Sequence, residues 1–193
     1  MALSKIGTNS LEDLSVTSGK VANDGIGPTQ LDETANYAFT GTVTGASTPM
    51  TPYFEAYIAA NQSPSDNTDT KVNFDTETYD SGGMYDTTNK RFLPTVAGKY
   101  FIYTHMCFSS EGVDRFHSCI LQIRKNGVKV KSIYYDDYDN YMSYVKACTG
   151  HCIVDMNGSS DYVEIYGNMN FTAGQGVFYN GRFSTFGGFR ITE

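Results

Sequence analysis

The chain is short of positive charge: 14 Lys and Arg stand against 21 Asp and Glu, for a formal net charge of -7. Neutralising a phosphate backbone or an acidic bilayer takes clustered cations. Nucleic acid is therefore not an expected partner. No apolar run approaches the roughly 20 residues of a membrane span, so no membrane insertion is expected. The opening MALSKIGTNSLEDL also lacks the apolar stretch of a secretory leader, which points to folding in a cytoplasm. In that reducing compartment the 4 cysteines, Cys107, Cys119, Cys148 and Cys152, read as small core hydrophobes rather than disulfide partners. The Asn-x-Ser/Thr triplets at Asn61, Asn157 and Asn170 then carry no glycosylation meaning.

Helix-forming Leu, Glu, Lys and Ala are scarce as well. What takes their place is 15 Tyr, 12 Phe and 19 Gly with many Thr and Val, a composition for strands and tight turns. At 193 residues there is room for one ordinary domain and an appendage. The division falls near Thr48-Pro49-Met50-Thr51-Pro52, where two prolines impose extended geometry.

Residues 1–52 read as an extended arm. They hold no Cys, have only Tyr37 and Phe39 as aromatics, and carry isolated apolar anchors at Ile26, Leu31 and Val43. Ser10 to Leu14 could start a helical turn and Ala38 to Thr44 one short strand. A lone strand leaves half its backbone unpaired, so the arm is expected to order only against other copies or another protein.

Residues 53–193 read as the head domain. Turn chemistry recurs at Asn61–Asp69, Tyr79–Gly83, Lys125-Asn126-Gly127 and Met156–Ser160, as in an antiparallel sandwich of short strands. In Lys99–Phe108 the even positions Tyr100, Ile102, Met106 and Phe108 make one face, while Phe101, Tyr103 and Cys107 make the other. Both faces are apolar, so the outer one must be covered, by a loop or by other copies of the chain. Ser118–Arg124 instead puts Cys119, Leu121 and Ile123 inward and leaves Gln122 and Arg124 outward, as an exposed strand would.

Catalytic patterns are thin. There is no Gly-x-Ser-x-Gly elbow and no phosphate-cradling glycine loop. His151 and Cys152 are neighbours on a strand and point to opposite faces. Cys148 and Cys152 share a face but stand roughly 13 Å apart by strand geometry, too far for one zinc. No enzyme activity, cofactor or metal is expected. The segment Tyr134-Tyr135-Asp136-Asp137-Tyr138-Asp139-Asn140-Tyr141 reads as a loop. Its aspartates could offer calcium ligands but lack the spacing of a calcium motif, and a solvated acidic turn is preferred. Its tyrosines have two readings: a contact surface for a glycan or protein, by ring stacking and carboxylate hydrogen bonds, or packing against the head. The contact reading rests on Tyr134, Tyr135, Asp136, Asp137, Tyr138 and Tyr141. Phe178, Tyr179 and Asn180 are a weaker candidate of the same kind.

Taken in order, Phe54-Glu55-Ala56, Val72-Asn73-Phe74, Gly82–Asp86, Phe92-Leu93-Pro94, Gly98–Phe101, Arg124–Gly127, Thr149–Met156, Asp161–Ile165 and Phe183–Ile191 resemble the globular head of complement subcomponent one-q and its tumour-necrosis-factor-like relatives. The resemblance implies an all-β, ten-stranded antiparallel jelly-roll sandwich that forms a homotrimer with aromatics near the threefold axis. Phe101, Tyr103, Cys107, Tyr166 and Phe189 are the residues expected at that interface. The chain carries no collagen Gly-X-Y stalk. Instead, Ala22–Leu31 and Tyr37–Gly45 resemble the low-complexity N-terminal segments of bacteriophage fibre and other virion surface proteins, with Ile26, Leu31, Tyr37, Phe39 and Val43 as attachment residues. The expected function is a virion structural protein: a trimeric fibre or spike knob that reads a host surface glycan or protein, held to other virion proteins by its arm. Its place would be the virion surface, after assembly in the host cytoplasm. The alternative is a capsid decoration or cement protein that stabilises the shell without binding a receptor.

Overall fold

The structure, a computed structural model, describes residues 51–111, 116–136, 144–171 and 174–192. The arm, with its attachment residues Ile26, Leu31, Tyr37, Phe39 and Val43 and its expected helical turn and strand, lies outside the described residues. So do Asp137, Tyr138, Asp139, Asn140 and Tyr141.

The described residues form strands and turns with no helix. The strands are β1 (Tyr53–Ile58), β2 (Thr70–Lys71), β3 (Thr76–Asp80), β4 (Tyr85–Asp86), β5 (Arg91–Phe92), β6 (Gly98–Glu111), β7 (Phe116–Lys125), β8 (Val128–Asp136), β9 (Val145–Met156), β10 (Val163–Phe171), β11 (Gln175–Phe178) and β12 (Gly181–Thr192). Sheet A runs β3-β1-β12-β6, with β9 and β11 also paired to β6. Sheet B runs β4-β5-β10-β7-β8, with β2 added beside β10. Every pairing is antiparallel. Set aside the short β2 and β11, and two five-stranded sheets remain, the jelly-roll sandwich that the sequence resembled.

The two-residue period of each strand sends one row of side chains between the sheets. Phe54 from β1 shows the packing: its ring stacks on Phe92 of sheet B, with centroids 4.2 Å apart, and meets Phe186 edge-on at 4.9 Å. Tyr100, Ile102, Met106 and Phe108 of β6 are fully buried in the same layer, facing Leu121, Ile123 and Ile165 of sheet B. Each such side chain contributes roughly 1.5–3 kcal/mol by leaving water. The expected β7–β8 hairpin closes on Asn126 and Gly127 at φ 51° and 80°, the paired positive values of a two-residue turn that follows the twist of the strands.

Two expectations need correction. The outer face of β7 is not exposed: Gln122 is fully buried. The segment before β2 folds across it, and Gln122 Nε2 donates to Asp69 Oδ1 at 2.9 Å. Tyr134 and Tyr135, expected in a loop, belong to β8 and pair with Ile120 and Cys119 of β7. Tyr134 is exposed, whereas Tyr135 packs toward the core with the Lys146 ammonium 3.7 Å over its ring.

Candidate functional site

The two outer faces of the sandwich differ in chemistry. On sheet B, Asp69 gathers its neighbours. Its carboxylate accepts from Gln122, from Asn168 at 3.1 Å and from Arg124, and pairs with Lys129 at 3.0 Å. Partial burial alone would raise its pKa, but the hydrogen bonds from Lys129, Asn168 and Gln122 outweigh it and hold the group at about 2. Beside it Lys71 reaches Glu164 at 2.5 Å, and the Arg124 guanidinium lies 3.9 Å over the Tyr166 ring. This cluster is polar and its charges are paired with one another.

Sheet A presents the opposite character. Its outward row carries aromatics across all five main strands: Tyr79 on β3, Tyr53 on β1, Phe189 on β12, Phe101 and Tyr103 on β6, and His151 on β9. Tyr53 meets Tyr79 at 5.8 Å, Phe101 meets Phe189 at 5.5 Å, and Phe101 stacks on His151 at 5.7 Å. The antiparallel register causes this, because Tyr53 pairs with Phe189, Phe189 with Phe101, and Tyr103 with His151.

Tyr103 fixes the centre of the band. Its ring lies across β12 at Gly187, and its Oη donates to Glu55 Oε2 at 3.0 Å and lies 3.4 Å from the Tyr79 hydroxyl. Burial, the Tyr79 contact and the Glu55 charge push its phenol well above the ordinary range, so it stays protonated and donating. Beneath the band is a shallow pocket of about 340 Å³ lined by Tyr53, Phe54, Tyr79, Tyr103, Gly188 and Phe189. Toward the other end, past a polar middle where His105 Nδ1 meets Thr149 Oγ1 at 2.8 Å, lies a second pocket of about 310 Å³ lined by Cys107, Ser109, Val145, Tyr179 and Phe183. Ile153 and Phe183 leave 61% and 63% of their surface in water, and Tyr53, Tyr79, Val145 and Ile191 are also exposed.

Of the residues expected at an interface, Phe101, Tyr103 and Phe189 therefore come together. Cys107 sits on the same face in the second pocket, nearly buried. Tyr166 stands apart from them in the single chain, on the outer face of sheet B under Arg124. Val145, Ile153 and, on β12, Phe183 escaped the sequence reading. The signal for the first two was a second apolar phase in β9, where Val145, Ala147, His151 and Ile153 alternate with the core-facing Cys148, Cys152 and Val154. Among the contact candidates only Tyr134 and Tyr135 have described side chains, and they lie on the edge strand of sheet B, away from the aromatic band. Phe178 is core, edge-on to Phe108, while Tyr179 beside it is exposed. No group of three or more His, Cys, Asp or Glu is arranged to hold a metal among the described residues.

The described head is thus of the class of jelly-roll β-sandwiches, with a paired polar cluster on one outer face and an aromatic, half-exposed band on the other. The comparisons narrow the class. The C1q domain family matches residues 54–191, and the chain belongs to that family. Among solved structures it is similar to the globular domain of zebrafish complement 1qA protein, with a TM-score of 0.53 and 17% identity, covering 74% of this chain and 98% of that one. A search of curated proteins found no match.

Proposed function

We propose that the head assembles as a homotrimer through the outer face of sheet A, and that the trimer is the host-recognition knob of a bacteriophage fibre or spike, mounted by residues 1–52. The observation that carries this reading is the aromatic band with its two flanking pockets, on a chain of the C1q domain family. Monomeric proteins rarely leave a contiguous apolar patch beyond a few hundred Å² in water, and a closed ring of copies covers such a face without a foreign partner. The role is binding rather than catalysis. The virion assignment is supported by the arm, whose phrasing resembles fibre attachment segments. Other virion proteins are its partners there, with Ile26, Leu31, Tyr37, Phe39 and Val43 as the anchors. The knob works on the virion surface after assembly in the host cytoplasm. Host contact is assigned to the β8 edge and the segment after it, from Tyr134 to Tyr141, because Tyr134 is exposed on the edge strand of sheet B, clear of the face used for assembly. The contact takes a surface glycan or protein through tyrosine rings and neighbouring carboxylates.

The test compares full-length protein with residues 50–193 by light-scattering mass and by binding to host cells and to emptied capsids. Trimers of both that bind cells support the knob. If neither binds cells and only the full-length chain binds capsids, the protein is a shell decoration instead.

A further inference from the structure

We propose that Cys119 and Cys148 are a modification site: a thiol pair that a peroxide closes into a disulfide joining the two sheets. Cys119 comes from β7 in sheet B and Cys148 from β9 in sheet A, yet their Sγ atoms lie only 3.7 Å apart across the core. Cys119 is fully buried and Cys148 nearly so. All four thiols are free. Neither of the others competes in place: Cys107 faces outward in the second pocket, and Cys152 lies four residues along β9 from Cys148. A disulfide brings its sulfurs to about 2.05 Å, so closure needs about 1.7 Å of approach, within reach of side-chain rotation and a small backbone adjustment.

The two thiols share one contact. Either thiol can donate to the other across the 3.7 Å contact, and whichever ionises first is held by the hydrogen bond from its partner, with the nearby Lys146 ammonium favouring the thiolate of both. Cys148 is the less buried of the two, so it is the thiol that meets the peroxide and, as its thiolate, the nucleophile. Its thiolate attacks one oxygen of hydrogen peroxide. An S–O bond forms, the O–O bond breaks, and the departing hydroxide takes up a proton as water. The Cys119 sulfur then displaces oxygen from the sulfenic acid: the S–S bond forms, the S–O bond breaks, and the hydroxyl leaves as water with the Cys119 proton. Two thiols lose two electrons, and one peroxide becomes two waters. The bridge ties strands 29 positions apart in sequence and limits how far the unfolded chain can expand. On the virion reading above, the head would fold reduced and lock after release.

The test uses purified full-length protein, reduced and then exposed to hydrogen peroxide, with free thiols counted by alkylation mass after denaturation. Expected are a fall from four thiols to two, a linked peptide containing Cys119 and Cys148, a Tm about 5–10 °C higher, and full reversal by dithiothreitol. Cys107→Ser should still form the bridge, its free thiols falling from three to one, and Cys148→Ser should lose the bridge and the Tm shift. Four thiols remaining, oxidation that stops at sulfinic acid, or a bridge using Cys107, Cys152 or a second chain would overturn the proposal. The linkage map of the wild-type protein decides even if a variant fails to fold, and none of these readouts depends on a virion role.

Discussion

A methyl group at position 187 would sit 2.4 Å from the Tyr103 ring and 2.9 Å from the Phe54 carbonyl. Gly187 is what lets that ring lie flat across β12 and reach Glu55. Gly187→Ala must lift the ring or bend the strand, and overpacking of this kind costs about 1–3 kcal/mol. The loss should appear as a lower urea midpoint, measured at one protein concentration because assembly feeds into stability. On the other sheet, Asp69 yields a pH prediction. Its folded pKa, near 2, lies below the unfolded value of about 4. Its contribution to stability is therefore fully present above pH 4 and fades as pH falls toward 2. Thermal melts from pH 5 to pH 2 should show Asp69→Asn starting lower than wild type and converging on it at the acid end. Parallel curves would mean that the hydrogen bonds to Asp69 are not what depress it.

At the scale of strands and turns, the most local signals carried farthest. Asn126-Gly127 announces its hairpin because few other dipeptides adopt positive φ at both positions. Gly127→Val, with its branched side chain held at φ 80°, should lower the melting temperature by several degrees, whereas Val128→Thr on the neighbouring exposed position should not. The two faces of β6 were equally legible, since a strand's period of two needs no knowledge of its neighbours. What depends on stacking was not. Nothing near Gln122 in the chain says that Asp69, 53 positions earlier, folds over it. The resemblance put Tyr166 at the interface, but nothing near it in the chain says that its side chain lies on sheet B under Arg124. The proximity of Cys119 and Cys148 likewise exists only once two sheets lie over each other. The segment 134–141 misled for another reason: its aspartates suggested a loop, while Tyr134 and Tyr135 suit a strand on propensity alone.

For the molecule as a whole, the question is whether the aromatic face can be separated from the fold that carries it. Ile153 is the position that separates them. It is 61% exposed in the single chain and has no part in the core, so a polar residue there should alter the isolated fold by no more than about 0.5 kcal/mol. A charge repeated around a closed ring of copies would be stripped of water in each one. Ile153→Asp should therefore take the light-scattering mass from three chains of 21.3 kDa to one while leaving the far-ultraviolet β signature intact. Tyr103→Asp should break assembly as well, but it also removes the hydrogen bond to Glu55, so its lower stability would mix two causes. Tyr134→Asp, on the edge of sheet B, is the matched control and should leave the mass unchanged. An Ile153→Asp protein that remains trimeric and melts like wild type would show that the chain assembles elsewhere, and the aromatic band would then be free to serve as the recognition surface itself.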